Sequence, residues 1–157
     1  MPTGFRIFKT KRSGTWFDGE GARRFGGRWN SPGTKVLYTA ATLSLATLEI
    51  LVHLDSDELI SAYSYAAVSF DDKLVENIEN IATLPKDWNV SPIAPEVQQV
   101  GDQWVRSKSS VVLSVPTAMV PGERNYLINI EHPEVKKLIF SEPRRLVLDQ
   151  RWIKKGN

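Results

Sequence analysis

Gly26-Gly27-Arg28-Trp29-Asn30-Ser31-Pro32-Gly33, followed by Tyr38-Thr39-Ala40 and Leu48-Glu49-Ile50-Leu51-Val52-His53, is the stretch on which the reading of this chain turns. It sets glycines, an arginine, a tight turn and a tyrosine just ahead of a carboxylate on a very apolar helical segment. Working outward, Gly19-Glu20-Gly21 resembles the start of a dinucleotide fingerprint. Position 24, where the third glycine belongs, is arginine, and no GxxxxGK[ST] occurs, so the Rossmann and P-loop readings both fail. What remains is a loop whose backbone can approach phosphates closely, with Arg28 able to grip them in bidentate fashion.

The segment 42–54 is the clearest helix, with Thr42 as its N-cap. On a helical wheel Leu43, Leu45, Leu48, Ile50, Leu51, Val52 and Leu54 cover most of the circumference, and Thr42, Glu49 and His53 share one narrow polar strip. A helix apolar nearly all round is expected to be buried, which puts Glu49 at a partner or a cleft, because an unpaired buried carboxylate is costly. Two readings stay open from spacing alone: a structural Glu49–Arg28 ion pair, or an active site seen without its ligand.

Elsewhere, Phe5–Phe8 and 61–70 alternate as strands, 111–115 reads as a buried strand, and 125–129 as another. Short strands are expected at 27–30 and 35–39 around the turn Ser31-Pro32-Gly33-Thr34, so that Arg28 and Tyr38 face each other across a hairpin. A helical turn is expected near Ala22, a short strand or turn at 73–79, a helix over 96–107, a short helix from His132, and closing strands at Phe140 and 145–148. This is an α+β pattern: one compact domain, residues 1–157, with a mixed or antiparallel β core flanked by helices.

Composition narrows the chemistry. The 157 residues include no cysteine and two histidines, His53 and His132, which excludes thiolate nucleophiles and makes a multi-histidine metal site a poor expectation. The N-terminus lacks an apolar signal region and no run approaches a membrane span, so a soluble cytoplasmic protein is expected. Charge is unevenly spread, at +6 over 1–35, −9 over 36–104 and +5 over 105–157. The basic ends either converge on an anionic ligand or form solvated faces.

The same motifs resemble the RES-domain family, bacterial toxins paired with Xre-type antitoxins. The resemblance runs on through Leu84-Pro85, Asp87-Trp88, Gly101-Asp102-Gln103-Trp104, Val115-Pro116, Asn125–Asn129 and His132-Pro133, nearly the whole chain. It implies an ADP-ribosyltransferase-like fold, NAD+ as substrate and no metal. Arg28, Tyr38 and Glu49 fall on the family's catalytic arginine, tyrosine and glutamate, and Gly27, Arg28, Tyr38, Ser114 and Thr117 are expected to contact the dinucleotide. The family's serine after Val-Pro is replaced here by Thr117, which keeps the hydroxyl and adds a methyl, with Ser114 close by as a substitute. An inhibitory Xre-family antitoxin is the implied partner, with DNA reached only through it, and a homodimer stays open.

The residue set suits cleavage of the nicotinamide–ribose bond. Nicotinamide is a pyridinium that leaves neutral, so the acid that glycoside hydrolysis requires is unnecessary and one carboxylate suffices to stabilise the oxocarbenium-like transition state. The main expectation is therefore an NAD+ glycohydrolase, with mono-ADP-ribosylation of a protein as the alternative. Many transferases carry a second acid two positions before the catalytic glutamate; Thr47 stands there, which favours hydrolysis. A nucleic-acid-binding or RNA-cleaving module rests on the basic ends and on Phe5, Phe8, Trp16 and Phe17. A silent partner-binding protein is the last reading, with Trp152, Ile153, Lys154 and Lys155 either packing or meeting an antitoxin.

Overall fold

The computed structural model describes residues 1–53, 62–149 and 151. Its strands are β1 (Thr3–Lys9), β2 (Leu37–Ala40), β3 (Tyr63–Ser69), β4 (Val75–Asn77), β5 (Val112–Pro116), β6 (Arg124–Ile128), β7 (Ile139–Phe140) and β8 (Arg144–Leu146). They form one mixed sheet in the order β4-β5-β6-β2-β1-β3-β7, with β8 also pairing β3. All pairings are antiparallel except β4–β5. The α+β expectation holds. Helices are α1 (Glu20–Phe25), α2 (Leu43–His53) and α3 (Pro95–Ser107).

One joint in this sheet makes the site. β1 and β3 stay in register from Thr3↔Ser69 to Lys9↔Tyr63, and β2 and β6 from Leu37↔Ile128 to Ala40↔Asn125. β1 and β2 share a single registered pair, Phe5↔Ala40. Beyond it the strands part, and the Arg6 side chain bridges the gap, its Nη1 donating to the Tyr38 carbonyl at 3.1 Å. A side chain thus satisfies a carbonyl that the neighbouring strand leaves unpaired.

Period-2 alternation assigns the two faces of the sheet. Leu37, Val112 and Ile128 join Phe8, Trp16, Val68 and Phe70 in a core on one side. On the other, Leu113, Val115 and Leu127 pack with Trp29, Val97 and Trp104, which brings in α3. Ile7, Ala40, Leu45 and Ala46 form a third cluster, through which α2 sits on β1 and β2.

Three expectations need correction. The hairpin at 27–39 does not form: Gly27 and Asn30 bridge each other in a tight turn, and β2 is taken up by β1 and β6. Next, α2 is not buried all round. Thr42 does cap it, its Oγ1 accepting from the Leu45 amide at 3.0 Å, but Leu48 is 46% exposed and Val52 59%. The helix lies on the sheet along one stripe and leaves the other open, so its apolar circumference says nothing about full enclosure. Finally, Phe8 and Trp16 are buried and stacked on each other, centroids 5.7 Å apart, so they offer no open platform for bases. The C-terminal stretch 152–155 lies outside the described residues.

Candidate active site

The block Gly26–Gly33 is held from behind by α3. Gln98 Nε2 donates to the Gly27 carbonyl at 3.0 Å, and the buried Asp102 carboxylate accepts from the Ser31 amide at 3.0 Å and the Ser31 hydroxyl at 2.5 Å. Gly101 lets the helix approach: a Cβ there would lie 1.7 Å from the Trp29 carbonyl oxygen. Trp29 is buried and stacks on Trp88. Asn30 is the hub, fully buried, with Nδ2 within donor distance of the Ala22, Ser31 and Thr34 carbonyls. The peculiar composition of this block is therefore a set of specific contacts that hold the loop carrying Arg28.

Tyr38 is locked into the same hub. Its hydroxyl donates to Asn30 Oδ1 at 2.6 Å and accepts from the Trp29 amide at 3.1 Å. Burial pushes its pKa above the ordinary tyrosine value, so the phenol stays neutral. Gly27 makes room for it, since a Cβ at Gly27 would fall 2.7 Å from the Tyr38 hydroxyl. Tyr38 and Arg28 are thus coupled through residues 27–30 and not across a hairpin.

Arg28 Nη1 donates to the Trp88 and Val90 carbonyls at 2.8 and 3.0 Å. Partial burial lowers its pKa, and Tyr38 acts in the opposite direction. Glu49 is held differently: its Oε1 accepts from Thr117 Oγ1 at 2.9 Å and Asn125 Nδ2 at 2.8 Å. Among the described residues no cation lies within ion-pair distance of it, so the Glu49–Arg28 pair is not made. Thr117 is buried, and its hydroxyl also accepts from the Met119 amide at 3.1 Å.

These groups line one cleft of about 690 Å³ at the parting of β1 and β2, a size that suits a nucleotide-class ligand. Gly27, Arg28, Tyr38, Glu49 and Thr117 are all on its wall. Ser114 is not. Its Oγ accepts from Arg124 Nε at 2.9 Å, and Arg124 is paired in turn with Glu79. Of the basic N-terminal segment, Arg6, Arg12 and Arg28 reach the cleft, whereas Arg23 and Lys35 pair with Glu20 on the surface. Thr47 does not line it, its hydroxyl donating to the Leu43 carbonyl within α2.

Two cleft residues escaped the sequence reading. Arg6 lies in the throat, with Nε buried and without a partner among the described residues; desolvation lowers its pKa and Asp18 raises it. The one signal was a cation inside the apolar run Phe5-Arg6-Ile7-Phe8. Asn125 opens the strand motif Asn125–Asn129 that carries part of the resemblance, but nothing in the sequence says which way a strand asparagine faces, and it is given no role.

Cleft, locked tyrosine and clamped carboxylate together describe an enzyme pocket on a split mixed sheet. Residues 3–149 match the RES domain, and the chain belongs to that family. It is 33% identical over 150 residues to a protein named Toxin Res from Photorhabdus laumondii subsp. laumondii, covering 91% of this chain and 96% of the relative. It is 36% identical over 141 residues to a Prs ADP-ribosylating toxin of Sphingobium sp. (strain YBL2), covering 88% and 87%. Among solved structures, the crystal structure of the M. tuberculosis MbcT–MbcA toxin–antitoxin complex shares the fold, with a TM-score of 0.75 at 21% identity over 92% of this chain and 84% of that one.

Proposed function

We propose that this RES-domain chain is a toxin that hydrolyses NAD+ at the nicotinamide–ribose bond. The observation that carries the reading is Glu49, a carboxylate held by two neutral donors on one oxygen, in a cleft that also presents Tyr38 and Arg28. Neutral clamps orient a carboxylate without cancelling its charge, as stabilisation of a developing cation requires.

In the reaction, the C1′–N1 electron pair leaves with nicotinamide, which departs neutral, and positive charge builds on the ribose. Glu49 accepts from a ribose hydroxyl and opposes that charge. Water adds at C1′ and loses a proton, giving ADP-ribose. Tyr38, its hydroxyl occupied, offers its ring to the flat nicotinamide and takes no part in proton transfer. Arg28, anchored through Nη1, neutralises the pyrophosphate or holds the adjoining ribose. Gly27 lets the ligand and Tyr38 approach the loop. Thr117 acts on Glu49 and takes the place of the family's serine; Ser114, tied to Arg124, does not substitute for it. No metal enters this scheme.

A second reading, transfer of ADP-ribose to a protein, is favoured by the relative named as an ADP-ribosylating toxin. The side chain of Thr47, turned into its own helix and not acidic, weighs against it. An antitoxin of the Xre type is the proposed inhibitory partner, with DNA reached only through it and a homodimer as a further assembly. The proposed site of action is the cytoplasm; no helix among the described residues is long and apolar enough to cross a membrane.

NAD+ labelled on the adenylate side, incubated with the purified chain alone and in lysate, separates these readings. Free nicotinamide with label in ADP-ribose supports the hydrolase, and label on a protein band supports the transferase. Release of neither, from folded protein free of antitoxin, overturns both. Glu49→Gln is expected to lower turnover at least ~10²-fold, the scale of losing one preorganised electrostatic group.

A further inference from the structure

Three carboxylates line the cleft, Asp18, Glu20 and Glu49, and their situations differ. Glu49 is clamped by Thr117 and Asn125, and Glu20 is paired with Arg23 and Lys35. Asp18 is held at one end only. Its Oδ1 accepts from the Glu20 amide at 3.0 Å, which fixes the side chain against its own loop. Among the described residues its Oδ2 meets neither a donor nor a cation, and on this half-buried residue that oxygen keeps accessible surface. A carboxylate fixed in place with one oxygen open to a pocket is an acceptor for a ligand's donor.

Its place along the cleft says which donor. Ile7 turns to α2 on one face of β1, and Phe8, on the other face, stacks on Trp16. Glu49 therefore reaches the cleft from one face of the sheet, and Asp18, two residues beyond Trp16, from the other. Arg6 lies between them where the strands part. Asp18 raises the Arg6 pKa through space without coming within ion-pair distance of it. Carboxylate, guanidinium and second carboxylate thus follow one another along the cleft. A dinucleotide presents the matching order: a ribose diol, a pyrophosphate and a second ribose diol. With the nicotinamide ribose at Glu49, the adenosine ribose falls to Asp18.

We propose that Asp18 is a specificity-determining residue whose open carboxylate oxygen accepts a hydrogen bond from the 2′-hydroxyl of the adenosine ribose and repels a phosphate at that position, so that the cleft takes NAD+ and rejects NADP+. This rests on the NAD+ reading above. The chemistry is that of the acidic residue which reads the same hydroxyl in doubly wound dinucleotide folds, reached here on a different sheet.

The test compares kcat/KM for NAD+, for NADP+ and for the NAD+ analogue lacking the adenosine 2′-hydroxyl, in the parent, Asp18→Asn and Asp18→Ala. A ratio taken within one variant is independent of its folded fraction, so partial misfolding does not obscure the answer. Asp18→Asn keeps an oxygen for the Glu20 amide and removes the charge. The parent should prefer NAD+ to NADP+ by about 10²-fold or more, because like charges set together are costly. In Asp18→Asn that preference should fall at least about 10-fold, mostly through a gain on NADP+. The parent should also prefer NAD+ to the deoxy analogue by about 5-fold or more, and Asp18→Ala should bring that ratio within about 2-fold of unity. The contact is made alike in ground and transition states, so Asp18→Ala should raise KM for NAD+ and leave kcat per folded molecule within about 3-fold.

A carboxylate that merely balances Arg6 would affect all three substrates alike, so unchanged ratios in Asp18→Asn overturn the proposal. A loss confined to kcat overturns it too. A parent that cleaves NAD+ and NADP+ equally removes the proposal alone. A parent that cleaves neither dinucleotide removes the NAD+ reading, and the proposal falls with it.

Discussion

Thr117→Val is the sharpest perturbation of this site, because it removes one hydroxyl and keeps the volume. The hydroxyl is buried, donates to Glu49 Oε1 at 2.9 Å and accepts from the Met119 amide at 3.1 Å. A hydrogen bond to a charged group contributes about 1.5–3 kcal/mol. If the bond contributes about 2–3 kcal/mol of bias toward the working orientation of Glu49, its loss lowers kcat by about 30- to 160-fold. The lower end applies because Asn125 Nδ2 still holds the same oxygen at 2.8 Å. Stability should fall as well, by about 2–4 °C in melting temperature for each kcal/mol in a chain of this size. Thr117→Ser restores the hydroxyl and should regain most of the activity. The assay is nicotinamide release under saturating NAD+, with melting curves alongside. A Thr117→Val enzyme within about 3-fold of the parent kcat refutes the reasoning, since a bond of this strength would then have no bearing on the carboxylate.

The remaining predictions concern the loop and its tyrosine. Gly27→Ala places a methyl 2.7 Å from the Tyr38 hydroxyl and 3.1 Å from Asn30 Oδ1, so the phenol must move and both its hydrogen bonds weaken. Loss of about 2–3 kcal/mol is expected in denaturant titration, with activity falling alongside; a parental midpoint would show that the loop yields freely. Tyr38 has a folded pKa raised above its unfolded value of 10.0, so its contribution to stability is complete below about pH 10 and is lost as pH rises beyond it. Tyr38→Phe should accordingly be less stable at neutral pH and lose less on going to strongly alkaline pH, as read by urea midpoints across that range. Parallel pH dependence in the two proteins would contradict the assignment.

Much of this protein was legible in its sequence, for reasons particular residues make plain. Val112 to Val115 had to be a buried strand because only a two-faced core accepts such a run. Thr42 marked the start of α2 because its hydroxyl satisfies an amide the helix leaves free. The density of special residues in Gly26–Gly33 announced a built loop, and Gly27, Asn30 and Ser31 each prove to have a specific contact or a close approach there. A carboxylate on an apolar helix pointed to a partner or a cleft, and Glu49 lines a cleft although the helix itself is not buried all round.

What lay beyond the sequence is everything set by strand pairing. The expectation of a hairpin at 27–39 followed local turn chemistry, but β2 gains more from two long-range partners, β1 and β6, than from its own neighbours. That choice parts β1 from β2 after one registered pair, opens the cleft and brings Arg6 into its throat. It also decides that Asn125 and Thr117, 76 and 68 residues from Glu49 in sequence, close on the same oxygen, while Ser114 is held by Arg124. Local sequence determines which segments become helix, strand or turn, because those preferences are settled within a few residues. Which side chains meet at the cleft depends on register and on which strands find each other across the chain, and those are decided by the burial of the sheet as a whole.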